Sequence, residues 1–185
     1  MKEIEAALNE IYIWNSNVIL LQCTANYPIK DEEANLNVIT AFKNKFDILV
    51  GYSDHSTGIG AAPYAVPMGA VVLEKHFTID KNMPGPDHLA SLTPEELKQF
   101  VKQVRQIEKY MGSFSKVPLL SEMSTRNSLQ KCLVATKKIA KGKMIEESDI
   151  IAKRTGGKGI SPINYKNIIG KIANKDYESD EIISV

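Results

Sequence analysis

Cysteine is scarce: Cys23 and Cys132 are the only two among 185 residues, and they lie far apart. They form no pairing framework, which separates the chain from small secreted proteins stapled by disulfides. Long apolar runs are missing as well, since none approaches the roughly 18 residues of a membrane-spanning helix. Neither sign of charge dominates: 23 Lys+Arg face 22 Asp+Glu, for a net charge of +1. Nucleic acids and anionic membranes select a positive excess, so no nucleic acid and no membrane partner is expected. Lys2, Glu3, Glu5 and Glu10 precede any apolar run, unlike a secretory signal. A cytoplasmic protein is the expectation. The length suits one domain, or one plus a small second, and falls short of a complete (β/α)₈ barrel, which takes about 250 residues.

What is present is an alternation of strand and helix patterns. Residues 2–12 carry Ile4, Ala7, Leu8 and Ile11 at helical spacing. VILLQC (18–23) is an unbroken apolar run, as expected of a parallel strand buried on both faces. Residues 31–46 predict a helix with Leu36, Ile39, Phe42 and Phe46 on one face. The cycle repeats with a strand at 47–54, a helical composition at 59–70 disturbed by Pro63 and Pro67, and a strand at 71–77. The clearest helix spans 94–111, with Thr93 and Glu96 as a capping box and Leu97, Phe100, Val101, Val104 and Ile107 as its buried stripe. Three such units predict an α/β fold with a parallel sheet over residues 1–112.

Residues 113–127 show no firm period and read as a linker. Residues 128–185 form a separate small module with a weak internal repeat, in which VATKKIAKGKMI (134–145) resembles IANKDYESDEII (172–183). Ala135 matches Ala173, and Lys137 matches Lys175. A compact pseudo-symmetric module is expected.

The candidate chemistry gathers at the strand ends. All three histidines, His55, His76 and His88, fall beside or just after a strand. The carboxyl ends of parallel strands face the ligand in such folds. Adjacent strands lie about 4.8 Å apart, so His55 and His76 at matching heights either reach one ion or serve as hydrogen-bonded strand-end residues. Strand alternation puts Glu74 and His76 on one face with Lys75 opposite, and Ser53 with His55. Tyr27 closes the first strand. Asp87 sits in a loop stiffened by Pro84 and Pro86, and Arg154 precedes a glycine-rich turn that suits either an anion or solvent.

Six strings occur in order: CTANYP (23–28), GYSDH (51–55), EKHFT (74–78), MPGPDH (83–88), ASL (90–92) and KRTGGKGISP (153–162). Together they closely resemble the C-terminal part of the sialic acid synthase family, which includes N-acetylneuraminate and legionaminate synthases. The resemblance covers nearly the whole chain. It implies a partial (β/α)₈ barrel of three βα units over residues 1–112, then the linker and an antifreeze-like (SAF, β-clip type) domain over 128–185. The implied reaction condenses phosphoenolpyruvate with an N-acetylmannosamine-type sugar and releases phosphate. The metal, Mn²⁺ or Mg²⁺, is then held by His55 and His76, with Glu74 in the reaction centre. Ser53 matches a phosphate contact, and Tyr27 and Asp87 match sugar-binding positions. Arg154 matches an arginine that reaches the partner barrel of a homodimer.

Two departures stand out: Ala25 occupies a position that is often Asn or Ser in the family, and Thr155 replaces the proline of the usual KRPG. The first strand resembles strand six of the barrel, so strands one to five, with their phosphoenolpyruvate-binding lysines, are expected on a missing N-terminal half. Without it the chain is expected to be inactive. The rival expectation is an inactive fragment that keeps a carbohydrate-binding antifreeze-like module.

Overall fold

The computed structural model describes residues 1–185. The chain divides into two compact units, Met1–Phe114 and Ser115–Val185. No helix is long and apolar enough to cross a membrane.

The first unit begins with α1 (Lys2–Tyr12) and alternates β1 (Ile19–Cys23), α2 (Asn37–Phe46), β2 (Leu49–Asp54), α3 (Ala62–Ala65), β3 (Val72–Lys75) and α4 (Pro94–Met111). The three strands form one parallel sheet in the order β1-β2-β3. Leu20, Val50, Tyr52 and Leu73 turn toward the helices and pack with Ile39, Phe42, Ala62, Leu92 and Phe100. The opposite face carries Ile19 and Leu49, both exposed. Burial on both faces, expected from the unbroken apolar runs, is therefore met on one face only, because no element of this unit covers the other.

Local chemistry accounts for the remaining differences from the expected elements. The helix expected over 31–46 splits into a 3₁₀ turn, Asp31–Glu33, and α2, because Asn35 takes a positive φ of 46° between them. Asparagine tolerates that left-handed conformation better than most residues. The helical stretch at 59–70 shrinks to the single turn α3, with Pro63 in its first turn where the missing N–H does no harm. In α4 the capping box forms as expected, with Glu96 N donating to Thr93 Oγ1 at 3.3 Å and Thr93 N to Glu96 Oε2 at 2.9 Å. Val101, expected in the buried stripe of α4, is exposed.

The second unit contains α5 (Met123–Leu129), β4 (Lys131–Ala135), β5 (Ile150–Arg154) and α6 (Tyr165–Ile168), with β4 and β5 antiparallel. Within the stretch expected as linker, a 3₁₀ turn (Leu120–Glu122) leads into α5. Neither element buries a residue, so no amphipathic period marks them in the sequence. The internal repeat has a structural counterpart. The two copies run antiparallel, and Ile139 and Tyr177 exchange both backbone hydrogen bonds at 2.9 Å. These two residues occupy the same place in their copies, 38 positions apart, as are Ala135 and Ala173. Two further pairs of backbone bonds between the copies are images of one another under the same shift. Ala135 N to Glu181 O mirrors Ala173 N to Lys143 O, and Gly142 N to Ala173 O mirrors Asp180 N to Ala135 O. The turn residues Gly142 and Asp180 correspond too, with φ of 85° and 67°. The unit thus has a local two-fold axis passing between Ile139 and Tyr177.

Candidate active site at the strand ends

The sheet register sets the site. Cys23, Ser53 and Glu74 are partners across β1, β2 and β3, so their side chains form one row on the uncovered face. Ser53 Oγ lies 2.7 Å from Glu74 Oε1. A carboxylate accepts only, so the serine donates. One residue beyond the strands, on that same face, come His55 and His76. Each is held by an incoming loop at its carbonyl: Ile29 N donates to His55 O at 2.9 Å, and Leu92 N donates to His76 O at 3.0 Å.

The rings form a cluster. His55 and His76 meet edge to face with centroids 5.2 Å apart. Tyr27 stacks on His76 at 4.1 Å and meets His55 edge-on at 5.1 Å. The Tyr27 hydroxyl lies 3.3 Å from Ser91 Oγ, and Ser91 in turn donates to the Asp87 carbonyl at 2.7 Å. Burial pushes the Tyr27 phenol up, as do the negative charges of Asp87 and Asp54, against the opposing hydrogen bond with Ser91. Asp87 Oδ2 sits 3.8 Å from His76 Nδ1. Tyr27, Ser53, His55, Glu74, His76 and Asp87 are therefore all gathered at one end of one sheet. Arg154 belongs to the second unit, exposed at the end of β5. His88 is turned to another task, its Nδ1 lying 2.8 Å from Thr78 Oγ1.

The donor set suits a divalent ion of borderline character. His55 Nδ1 lies 3.1 Å from the Asn26 carbonyl. A carbonyl cannot donate, so Nδ1 carries a proton, and in the neutral ring the lone pair then falls to Nε2, the tautomer a ligating histidine needs. No group of three His, Cys, Asp or Glu side chains converges on one ion position. A two-imidazole set leaves the remaining coordination positions to water and substrate, in the manner of open catalytic sites.

Two contacts of the site, and one pairing between residues already placed at the strand ends, escaped the sequence reading. Cys23 Sγ lies 3.9 Å from both ring nitrogens of His55. Ser91 reaches Tyr27 through loop closure alone, although it lies within the ASL string. The third is a charged pair on the helix-facing side, Asp54 with Lys75, whose Nζ and Oδ2 are 3.1 Å apart. Burial pulls the Lys75 ammonium below its usual range, while the Asp54 charge resists the fall.

Fold and site together define an α/β chain with three βα units of barrel type, a polar cluster at their carboxyl ends, and a small second unit. The NeuB family model matches residues 1–116, and the SAF domain model matches residues 130–184. The chain belongs to the NeuB family. It is 47% identical over 184 residues to an N,N'-diacetyllegionaminic acid synthase of Campylobacter jejuni, covering 98% of this chain and 55% of that protein. It is 41% identical over 170 residues to the human N-acetylneuraminate-9-phosphate synthase, covering 91% of this chain and 47% of the human one. Among solved structures, the spore coat polysaccharide biosynthesis protein SpsE of Bacillus subtilis matches with a TM-score of 0.57 and 33% identity, over 100% of this chain and 57% of that one. The chain spans about half the length of the curated relatives it matches.

Proposed function

We propose that this chain supplies the metal-binding and acceptor-binding side of a nonulosonic acid synthase, which condenses phosphoenolpyruvate with an N-acetylmannosamine-type sugar and releases phosphate. The observation that carries this reading is the pairing of two imidazoles, 5.2 Å apart, with a Ser53–Glu74 hydrogen bond on the same uncovered sheet face. His55 and His76 would hold Mn²⁺ or Mg²⁺, an ion that supplies Lewis acidity toward the open-chain sugar aldehyde.

The remaining work falls to the chain's own residues. Tyr27 and Asp87, beside the His76 ring, orient the sugar. Ser53 contacts the phosphate of phosphoenolpyruvate. As C3 of the enol bonds to the aldehyde carbon, the C=O π bond opens and its oxygen takes up a proton to become a hydroxyl; water adds at C2, and phosphate departs as the C2–O bond breaks, leaving a ketone. Glu74 is the carboxylate that takes the proton of that water. Arg154 would reach the acyl group of the sugar bound to the partner subunit of a homodimer, which makes the dimer part of the active site.

The uncovered face and the unpaired outer edges of β1 and β3 call for further parallel strands. The complement is an N-terminal barrel half carrying the phosphoenolpyruvate-binding lysines. The test is phosphate release from phosphoenolpyruvate by the purified chain with Mn²⁺ and a panel of acceptors, with and without an N-terminal half from a relative. Release only in the complemented mixture is the expected result, and the acceptor giving it identifies the sugar. Acceptor binding without phosphate release in that mixture would favour a carbohydrate-binding fragment instead.

A further inference from the structure

The buried charges on the helix-facing side of the sheet take no part in the chemistry just described, yet they adjoin it. Asp54 and Lys75 are the last residues of β2 and β3 and face each other in register. Their side chains are 0% and 4% exposed. Asp54 Oδ1 accepts from Ser56 N at 2.9 Å and from Ser56 Oγ at 2.6 Å. Its Oδ2 accepts from Ala62 N at 3.0 Å and from Lys75 Nζ at 3.1 Å. Lys75 Nζ also donates to the Ser56 carbonyl at 2.6 Å. Gly60 completes the enclosure: with φ of +62°, a Cβ there would sit 1.9 Å from Ser56 Oγ and 2.9 Å from Asp54 Oδ2.

Stability alone does not account for such a pair. Desolvating two charges commonly cancels their attraction, and apolar residues of similar volume do as well or better. What a satisfied buried network does provide is a fixed geometry. The position of this one is telling. The ladder between β2 and β3 ends at Asp54 and Lys75, so beyond that row no strand pairing holds the two chains together. The next residues are His55 and His76. Lys75, directly before His76, binds both Asp54 and Ser56, the two neighbours of His55. A single ammonium therefore ties both flanks of one imidazole to the residue preceding the other.

We propose that the Asp54–Lys75–Ser56 clamp consists of positioning residues that set the spacing of His55 and His76 for a divalent ion. The inference rests on the reading of those histidines as ion ligands. Its test is Mn²⁺ binding to the full chain, followed by the paramagnetic signal of the free ion, together with the metal-free imidazole resonances of His55 and His76 by NMR. Lys75→Met and Asp54→Asn should weaken Mn²⁺ binding by about 10- to 100-fold, the cost typical of losing partners that orient a metal ligand. Both should shift the two imidazole resonances before any metal is added. Lys75→Arg keeps the charge and should recover part of the affinity. Ser56→Ala removes the hydroxyl's bonds with Asp54 and with the Ala61 amide but keeps those made by the Ser56 backbone to Asp54 and Lys75, which gives a milder variant should the others fail to fold. Folded variants with wild-type affinity and unmoved resonances would overturn the clamp. If the wild-type chain binds no Mn²⁺, the ion reading fails on its own, and the resonances of Lys75→Met still decide whether the clamp sets the ring spacing.

Discussion

Ser53 donates its hydroxyl proton to Glu74 across the seam between β2 and β3, at 2.7 Å. Ser53 is buried, and its in-register partner on β1 is Cys23, a poor acceptor. A phosphate beside Ser53 therefore competes with Glu74 for one proton. Ser53→Ala should raise the KM for phosphoenolpyruvate in the complemented enzyme and leave the acceptor KM near its starting value. Glu74→Gln removes the proton acceptor and should lower kcat by about 10²- to 10⁴-fold, the usual worth of a positioned acid or base. Steady-state kinetics with each substrate varied in turn checks both, and equal effects of Ser53→Ala on the two KM values would contradict the phosphate contact.

Arg154 lies at the end of β5, opposite Lys131 in the register, and is exposed with no ion pair. Exposure suits a residue that works on another subunit. In the complemented enzyme, Arg154→Ala should raise the acceptor KM more than that of phosphoenolpyruvate. Mixing this variant with His55→Ala should restore activity through hybrid dimers, each holding one intact site. Mixed dimers that form and stay inactive would remove Arg154 from the partner's site.

Much of the site was legible because parallel strands alternate strictly. That rule alone put Glu74 and His76 on one face and Lys75 on the other, and it paired Ser53 with His55. The capping box at Thr93 and Glu96 was legible for a similar reason, being set by a spacing of three residues. Contacts made by loop closure left no such mark. The bond between Tyr27 and Ser91 joins residues 64 positions apart, and no local pattern encodes it. Nor did apolar composition reveal that one sheet face would stay uncovered. A run such as VILLQC states that both faces prefer burial, and says nothing of which element supplies the cover. The break at Asn35 and the helix Met123–Leu129 were missed because neither changes a hydrophobic period.

The local two-fold in the second unit makes Ile139 and Tyr177 equivalent in place but not in chemistry. Both are fully buried, and the Tyr177 hydroxyl additionally donates to Asn174 Oδ1 at 2.6 Å. Ile139→Ala deletes core volume on the axis and should cost about 2–5 kcal/mol. Tyr177→Phe keeps the ring and loses the hydroxyl's bonds with Asn174 and Ser184, for about 1 kcal/mol, since the exposed Asn174 can turn to water instead. Hydrogen exchange at the amides of Ala135, Ile139 and Ala173 reads both losses within the second unit. Equal protection in the two variants would mean that the axis packing does not limit its stability.

Asp149 gives the same unit a dependence on acid. Its side chain is fully buried, with Lys143 Nζ at 2.8 Å, Lys137 Nζ at 3.0 Å and the Glu146 amide donating at 3.0 Å. Burial pushes the carboxyl up, but the hydrogen bonds from Lys143, Glu146 and Lys137 outweigh it and hold the group at about 2, below the ordinary 3.8. The unfolded chain thus takes up a proton at higher pH than the folded one. This contribution to stability is fully present above the unfolded value and is lost as pH falls from 3.8 toward 2. Asp149→Asn should be the less stable protein at neutral pH, because two lysines lose their anion. Its stability should also fall less steeply through that acid window, by up to one proton's worth of slope. Urea unfolding of the second unit, followed by exchange at the Tyr177 amide across the window, measures both slopes. Parallel profiles for the two proteins would show that Asp149 is not the group that titrates.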